Sequence, residues 1–145
     1  MSLELDDDLH ERIVRHTDAG NRLCEEEGDL AAALVEYEKA MALLPAPIER
    51  WEAATWILTA IGDCQFLLGR HERARDTLSR AMHAPGALGN GFIHLRLGQA
   101  QFELGRLDRA ADELARAYMA DGKESFESED PKYYAFLRTR MRGLE

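Results

Sequence analysis

The segment GDCQFLLG at Gly62–Gly69 returns 36 residues later as GQAQFELG at Gly98–Gly105, and Ala74 and Ala81 return as Ala110 and Ala117 at the same offset. A looser third copy lies upstream, in Gly20, Gly28-Asp29, Ala33, Tyr37, Ala40 and Pro45. A fixed period of this size restricts a chain to stacked helix pairs, each too small to bury its own apolar face. Such arrays present surfaces more often than they carry chemistry.

Position by position, each unit reads as helix, tight turn, helix. Gly28, Gly69 and Gly105 stand at the turns, where a left-handed backbone costs a glycine least. Gly20, Gly62 and Gly98 fall inside the first helix of each pair, at a cost of about 1 kcal/mol against alanine. The offsetting gain expected is close approach of the second helix, with Ala33, Ala74 and Ala110 as the small residues received there. Ala40, Ala81 and Ala117 follow two turns on, with Tyr37, Leu78 and Leu114 as larger neighbours packing toward the next unit.

These residues resemble the tetratricopeptide repeat (TPR): Leu97-Gly98 and Ile61-Gly62 in the first helix, Ala33…Tyr37…Ala40 in the second, Pro45 at the end. The resemblance covers about residues 9–122. It implies an all-α fold of three helix-turn-helix repeats stacked as a right-handed superhelix and closed by a capping helix. The expected layout is one domain over 1–145, with repeats at about 9–45, 47–84 and 90–121 and a cap at about 131–142. The sequence departs from the pattern in several places. Leu58 and His94 replace a bulky aromatic, and Gln65 and Gln101 replace a tyrosine. Repeat one has an extra residue between Gly20 and Gly28, and Gly28 to Gly69 spans 41 residues where the family has about 34.

The helix signals are local. Asp6–Asp8 supply a cap and first-turn charges for a helix to about Glu26, and Asp29 caps the next, which Pro45 ends. Pro47 suits a first helical position, so Ile48–Leu68 reads as one long helix. Further helices are expected from His71 to about His83, from Asn90 or Gly91 to Leu104, and from Leu107 to Ala120. A charged link, Gly122–Asp130, precedes a last helix from Lys132 to about Arg142. Its Tyr133, Phe136, Leu137 and Met141 are spaced to cover the apolar end of the array.

Composition sets the outer bounds. With 46% hydrophobic and 31% charged residues, the chain is of globular rather than disordered character. No apolar run approaches the ~18 residues of a membrane span, and the acidic start lacks the features of a secretion signal. Cys24 and Cys64 are expected as buried thiols in a reducing cytoplasm rather than as a disulfide. Residues 1–45 hold 12 acids and 4 bases, against 10 and 9 in residues 46–122. That excess repels nucleic acid and favours a basic protein partner. Its alternative reading is a pair of solvated helix ends.

Catalytic patterns fail on inspection. His10-Glu11 and His71-Glu72 open a zinc motif that Val14 and Arg75 do not complete. Gly86–Gly91 lacks the lysine and the preceding strand of a phosphate loop. His94 is expected as a packed histidine, and Cys64 has no histidine near it in sequence. The expectation is a non-enzyme without cofactor or metal.

What remains is a surface. In the resembled family the first helices line a groove, and its groove positions carry over to Thr59, Asp63, Phe66 and Leu67 in repeat two and to Leu95, Gln99, Phe102 and Glu103 in repeat three. In repeat one the shifted register gives Thr17, Asn21, Cys24 and Glu25. Trp56 and Phe92, six residues before their glycines, would also face inward as anchors; packing is the alternative for them and for Trp51. The family's basic clamp for chaperone tails is missing, because Thr17, Thr59 and Leu95 occupy its lysine place. The stretches at Trp51–Ile57, Gly89–Gly98, Glu113–Met119 and Glu129–Tyr133 resemble small stand-alone bacterial repeat proteins, often encoded beside polymorphic toxins. That implies a cytoplasmic immunity protein that binds a basic toxin domain; the alternative is a scaffold or assembly adaptor.

Overall fold

The computed structural model describes residues 5–144; Met1–Glu4, where the acidic start begins, and Glu145 lie outside the described residues. Seven α-helices follow in order: α1 Asp7–Glu25, α2 Leu30–Ala42, α3 Glu52–Leu67, α4 His71–Ala81, α5 Gly91–Glu103, α6 Leu107–Asp121 and α7 Pro131–Arg140. Short 3-10 turns lie at Ile48–Arg50 and Lys123–Phe126, and there is no strand among the described residues. α1 packs on α2, α3 on α4 and α5 on α6, and the pairs stack in chain order. This is the all-α, three-pair array with a closing helix that the 36-residue period requires.

The helix ends follow their local chemistry. The Asp6 carboxylate accepts the amide hydrogens of Asp8 (2.8 Å) and Leu9 (3.4 Å), and Asp29 accepts that of Ala32 (3.0 Å). Asn90 caps α5 through the Ile93 amide, and Asp130 caps α7 through that of Lys132. At the turns, Gly69 and Gly105 take φ of 80° and 78°. The following amides, Arg70 and Arg106, reach back to the carbonyls of Gln65 and Gln101, which closes a Schellman-type end. In repeat one the equivalent bond runs from Asp29 to Leu23, one residue further back. The extra residue before Gly28 is absorbed there.

The mid-helix glycines do permit close crossing, but not by receiving the alanines. A Cβ on Gly62 would lie 2.5 Å from Leu78 Cγ, and one on Gly98 would lie 2.8 Å from Leu114 Cγ and 3.1 Å from the Leu114 backbone nitrogen. At Gly20 the Tyr37 ring stands 2.6 Å away. The lodged group is thus the large residue four positions after each alanine. Ala33, Ala74 and Ala110 are fully buried elsewhere in the helix contacts.

Two further expectations need correction. Ile48–Leu68 is not one helix: Trp51 is extended (φ −98°, ψ 138°) and separates the 3-10 turn from α3. Its indole Nε1 donates to the Pro45 carbonyl at 2.7 Å, which holds the bend. Trp51 therefore packs against the first core rather than projecting as an anchor. The charged link after α6 is not a plain loop either, because Phe126 is buried within it. Phe126, Tyr133 and Leu137 form one core with Leu95, Leu114 and Ala117.

Candidate protein-binding face

α1, α3 and α5 supply the face that carries the groove positions, and its two ends differ. At the α5 end the chain covers its own face. Phe102 meets the rings of Tyr133 and Phe136, with centroids 5.4 and 5.1 Å apart in edge-on geometry. Glu103 accepts from Lys132 Nζ at 2.6 Å. Leu95 is buried in the core shared with α7, and Gln99 is 0% exposed.

A buried polar knot stands at the centre. Arg96, 6% exposed, donates through Nε to Asp63 (2.8 Å) and through Nη1 to Gln99 (2.7 Å) and Glu129 (2.6 Å). Gln99 Nε2 donates to the same Glu129 oxygen at 2.8 Å. The Arg96 guanidinium also lies over Phe66 and Phe92, about 5 Å from each ring centre. Burial holds the Asp63 carboxyl above its usual range, and Arg96 pulls it only partly back.

Toward α1 the face is open. Asn21 and Glu25 are exposed, and Asn21 Oδ1 accepts the Tyr37 hydroxyl at 2.6 Å. Trp56 is 45% exposed and Phe92 38%, although each is large enough to bury readily. These two are counterparts in the 36-residue register, on neighbouring helices. Leu67 is exposed as well. Thr59 is half-buried and donates to the Thr55 carbonyl. Thr17 is buried and donates to the Val14 carbonyl at 3.0 Å, so it supports α1 from inside. A shallow recess of about 550 Å³ on α1 is lined by Arg15, Asp18, Asn21, Arg22 and Glu25. Spacing along α1 places Arg15, Asp18 and Arg22 beside the expected pair, yet the groove register passes over them.

Burial pushes the Cys64 thiol up to about 12 and raises that of Cys24, away from the thiolate a nucleophile needs. His94 Nε2 accepts the Gly89 amide at 3.0 Å while Nδ1 meets Glu113 at 2.6 Å, so the proton sits on Nδ1 and the ring is a fully used packing element. No group of three or more His, Cys, Asp or Glu among the described residues is placed to hold a metal. No described helix is long and apolar enough to cross a membrane.

By sequence the chain matches no protein-family model and no curated protein. By structure it is similar to several solved domains. The first TPR of Spaghetti (RPAP3), bound to the HSP90 peptide SRMEEVD, superposes with a TM-score of 0.68 at 18% identity, over 95% of this chain and 94% of that one. The C-terminal TPR-containing domain of a Plasmodium falciparum FK506-binding protein gives 0.72 at 16%, over 94% and 91%. The Yersinia enterocolitica type III secretion chaperone SycD, in complex with a peptide of the translocator YopD, gives 0.64 at 13%, over 95% of both. Helix order, the glycine crossings and these superpositions agree: the chain has the fold of a tetratricopeptide-repeat domain.

Proposed function

We propose that this protein is a non-catalytic protein-binding module whose contact face is the open stretch from Asn21 and Glu25, across Trp56, to Phe92. The observation that carries the reading is the pair Trp56 and Phe92. Two aromatic residues at equivalent repeat positions remain exposed, while their neighbours further along α5 are covered by the chain itself. Aromatic anchors with an acidic flank suit a protein segment that carries apolar and basic side chains. Two similar domains, those of Spaghetti and SycD, are described in complex with peptides. An acidic chaperone tail is a poor fit here, because Arg96 is already engaged by Asp63 and Glu129.

The finer reading is a cytoplasmic immunity role against a basic toxin domain. It draws on the resemblance to toxin-linked repeat proteins and on the acid excess of residues 1–45. The alternative, an assembly adaptor, shares the same face and differs in partner. The neighbouring reading frame distinguishes them: a secreted-toxin gene favours immunity, whereas assembly genes favour an adaptor. Co-expression with the candidate partner then tests the face. Trp56→Ala should lose about 2 kcal/mol of binding, mainly through faster dissociation. Reversal of Glu25 and Glu26 to lysine should mainly slow association and flatten its salt dependence. Unchanged binding in both variants would overturn the assignment of this face.

A further inference from the structure

α5 turns a second side away from Glu129. Gln99 and Gln101 are two residues apart, roughly 200° around a helix, and their surroundings differ. Gln99 is bonded to Arg96 and Glu129. Gln101, 5% exposed, has an Oε1 that receives no hydrogen bond. The repeat register shows the cause. Its counterpart Gln65 accepts the Thr77 hydroxyl at 2.7 Å. The counterpart of Thr77 is Glu113, which offers acceptors in place of a donor and whose Oε2 is held by His94. A donor has been exchanged for a carboxylate, and the amide oxygen is left without its partner. Buried acceptors in native proteins are rarely left so.

Gln101 lines a crevice of about 410 Å³ between α4, α5 and α6. Met82 and Leu97 give it apolar wall, and Asp108, Asp112, Glu113 and Arg109 line its polar side. Asp108 meets Arg140 and Asp112 meets Arg116, each through one oxygen. The crevice thus combines a hydrocarbon surface, an orphan acceptor and carboxylate oxygens that the flanking arginines leave free. A lysine or arginine side chain has the complementary parts, an aliphatic stem and a cationic head with several donors.

We propose that this crevice is a docking site for one basic side chain of a protein partner. The stem lies along Met82 and Leu97, and the head donates to Gln101 Oε1 and to the Asp112 and Glu113 carboxylates. The site is on the other side of α5 from Gln99 and does not rest on the Trp56–Phe92 reading. The test is an NMR titration of the full chain with n-butylammonium and n-propylguanidinium, with 1-butanol as the neutral control. Either cation should give saturable millimolar shifts of the Leu97 and Met82 methyls and of the Gln101 side-chain amide, and butanol should not. Gln101→Leu should weaken the response about tenfold while melting at or above the parent's temperature, and Asp112→Asn should weaken it less. Equal shifts with butanol would reduce the crevice to an apolar groove and overturn the proposal. So would the absence of a saturable shift at Gln101, with water as the occupant, or full affinity retained in Gln101→Leu.

Discussion

The first and third helix pairs are built to one plan, yet their inner faces meet opposite fates. Around α5, Leu95, Gln99, Phe102 and Glu103 are all engaged by Glu129 and α7. Around α1 and the start of α3, Asn21, Glu25 and Trp56 stay exposed. Leu67 and Glu103 show the contrast within one register position: the former is exposed, the latter is bonded to Lys132. A groove position is therefore not a site by virtue of its place in the repeat. What the chain does after the last repeat decides which positions stay available.

The sharpest way to break the comparison is to remove the cover. Deleting residues 127–145 strips Tyr133 and Leu137 from the third pair and should cost about 5 kcal/mol, from the ~1.5–3 kcal/mol of each large buried side chain. Thermal melts and size-exclusion chromatography should show a collapsed transition or aggregation. A truncated protein that stays monomeric with an unchanged Tm would mean that the third pair closes itself. Next comes Arg96→Ala, which leaves Asp63 and Glu129 half-buried without their cation. A loss of about 3 kcal/mol is expected in urea unfolding, against well under 1 kcal/mol for the exposed Trp56→Ala. Similar losses in the two would erase the difference between the ends.

Glycine crossings sharpen the picture further. Gly62→Ala and Gly98→Ala gain helix propensity of about 1 kcal/mol but overpack Leu78 and Leu114 at about 1–3 kcal/mol. Net destabilisation of about 1 kcal/mol is expected, greater at Gly98, where a backbone nitrogen also stands close. A rise in Tm in either variant would show that the crossing relaxes freely. The smallest effect is in pH. Burial holds Asp63 above its usual range, so its contribution to stability falls as pH rises from the unfolded to the folded value. Glu49 is lowered by its hydrogen bond from Arg80, so its contribution is present above the usual carboxylate range and is lost on acidification. Between about pH 4 and pH 7, stability relative to the parent should move upward for Asp63→Asn and downward for Glu49→Gln, each by less than about 1 kcal/mol. Parallel slopes would contradict the assigned environments.

Most of the fold was readable because its determinants are local or periodic. The caps at Asp6, Asp29 and Asn90 and the turn glycines lie within a few residues of what they control, and the 36-residue echo repeats the same signals. The errors arose where a distant group intervened. Trp51 breaks the expected long helix because its indole reaches the Pro45 carbonyl, a bond that no propensity encodes. Small residues suit close approach, which points to the alanines, whereas the space above each glycine is filled by Leu78, Leu114 or Tyr37. For the face, the register located Trp56 and Phe92 but not their exposure, and Leu95 and Gln99 but not their cover. The bond from Arg96 to Glu129 joins positions 33 residues apart. A lone Phe126 in a charged run was the one available hint that the link folds back.

The closing segment also governs where an array like this can lengthen. A helix pair added after Asp121 would part Phe126, Glu129 and Tyr133 from Leu95, Arg96 and Phe102, and would need its own copies of those residues to be sealed. A pair inserted in the loop at 85–90 would keep α5, α6 and the tail together but would part Asp63 and Phe66 from Arg96. Lengthening ahead of Gly91 therefore opens one side of the Arg96 knot, whereas lengthening behind Asp121 unseals the whole end of the array.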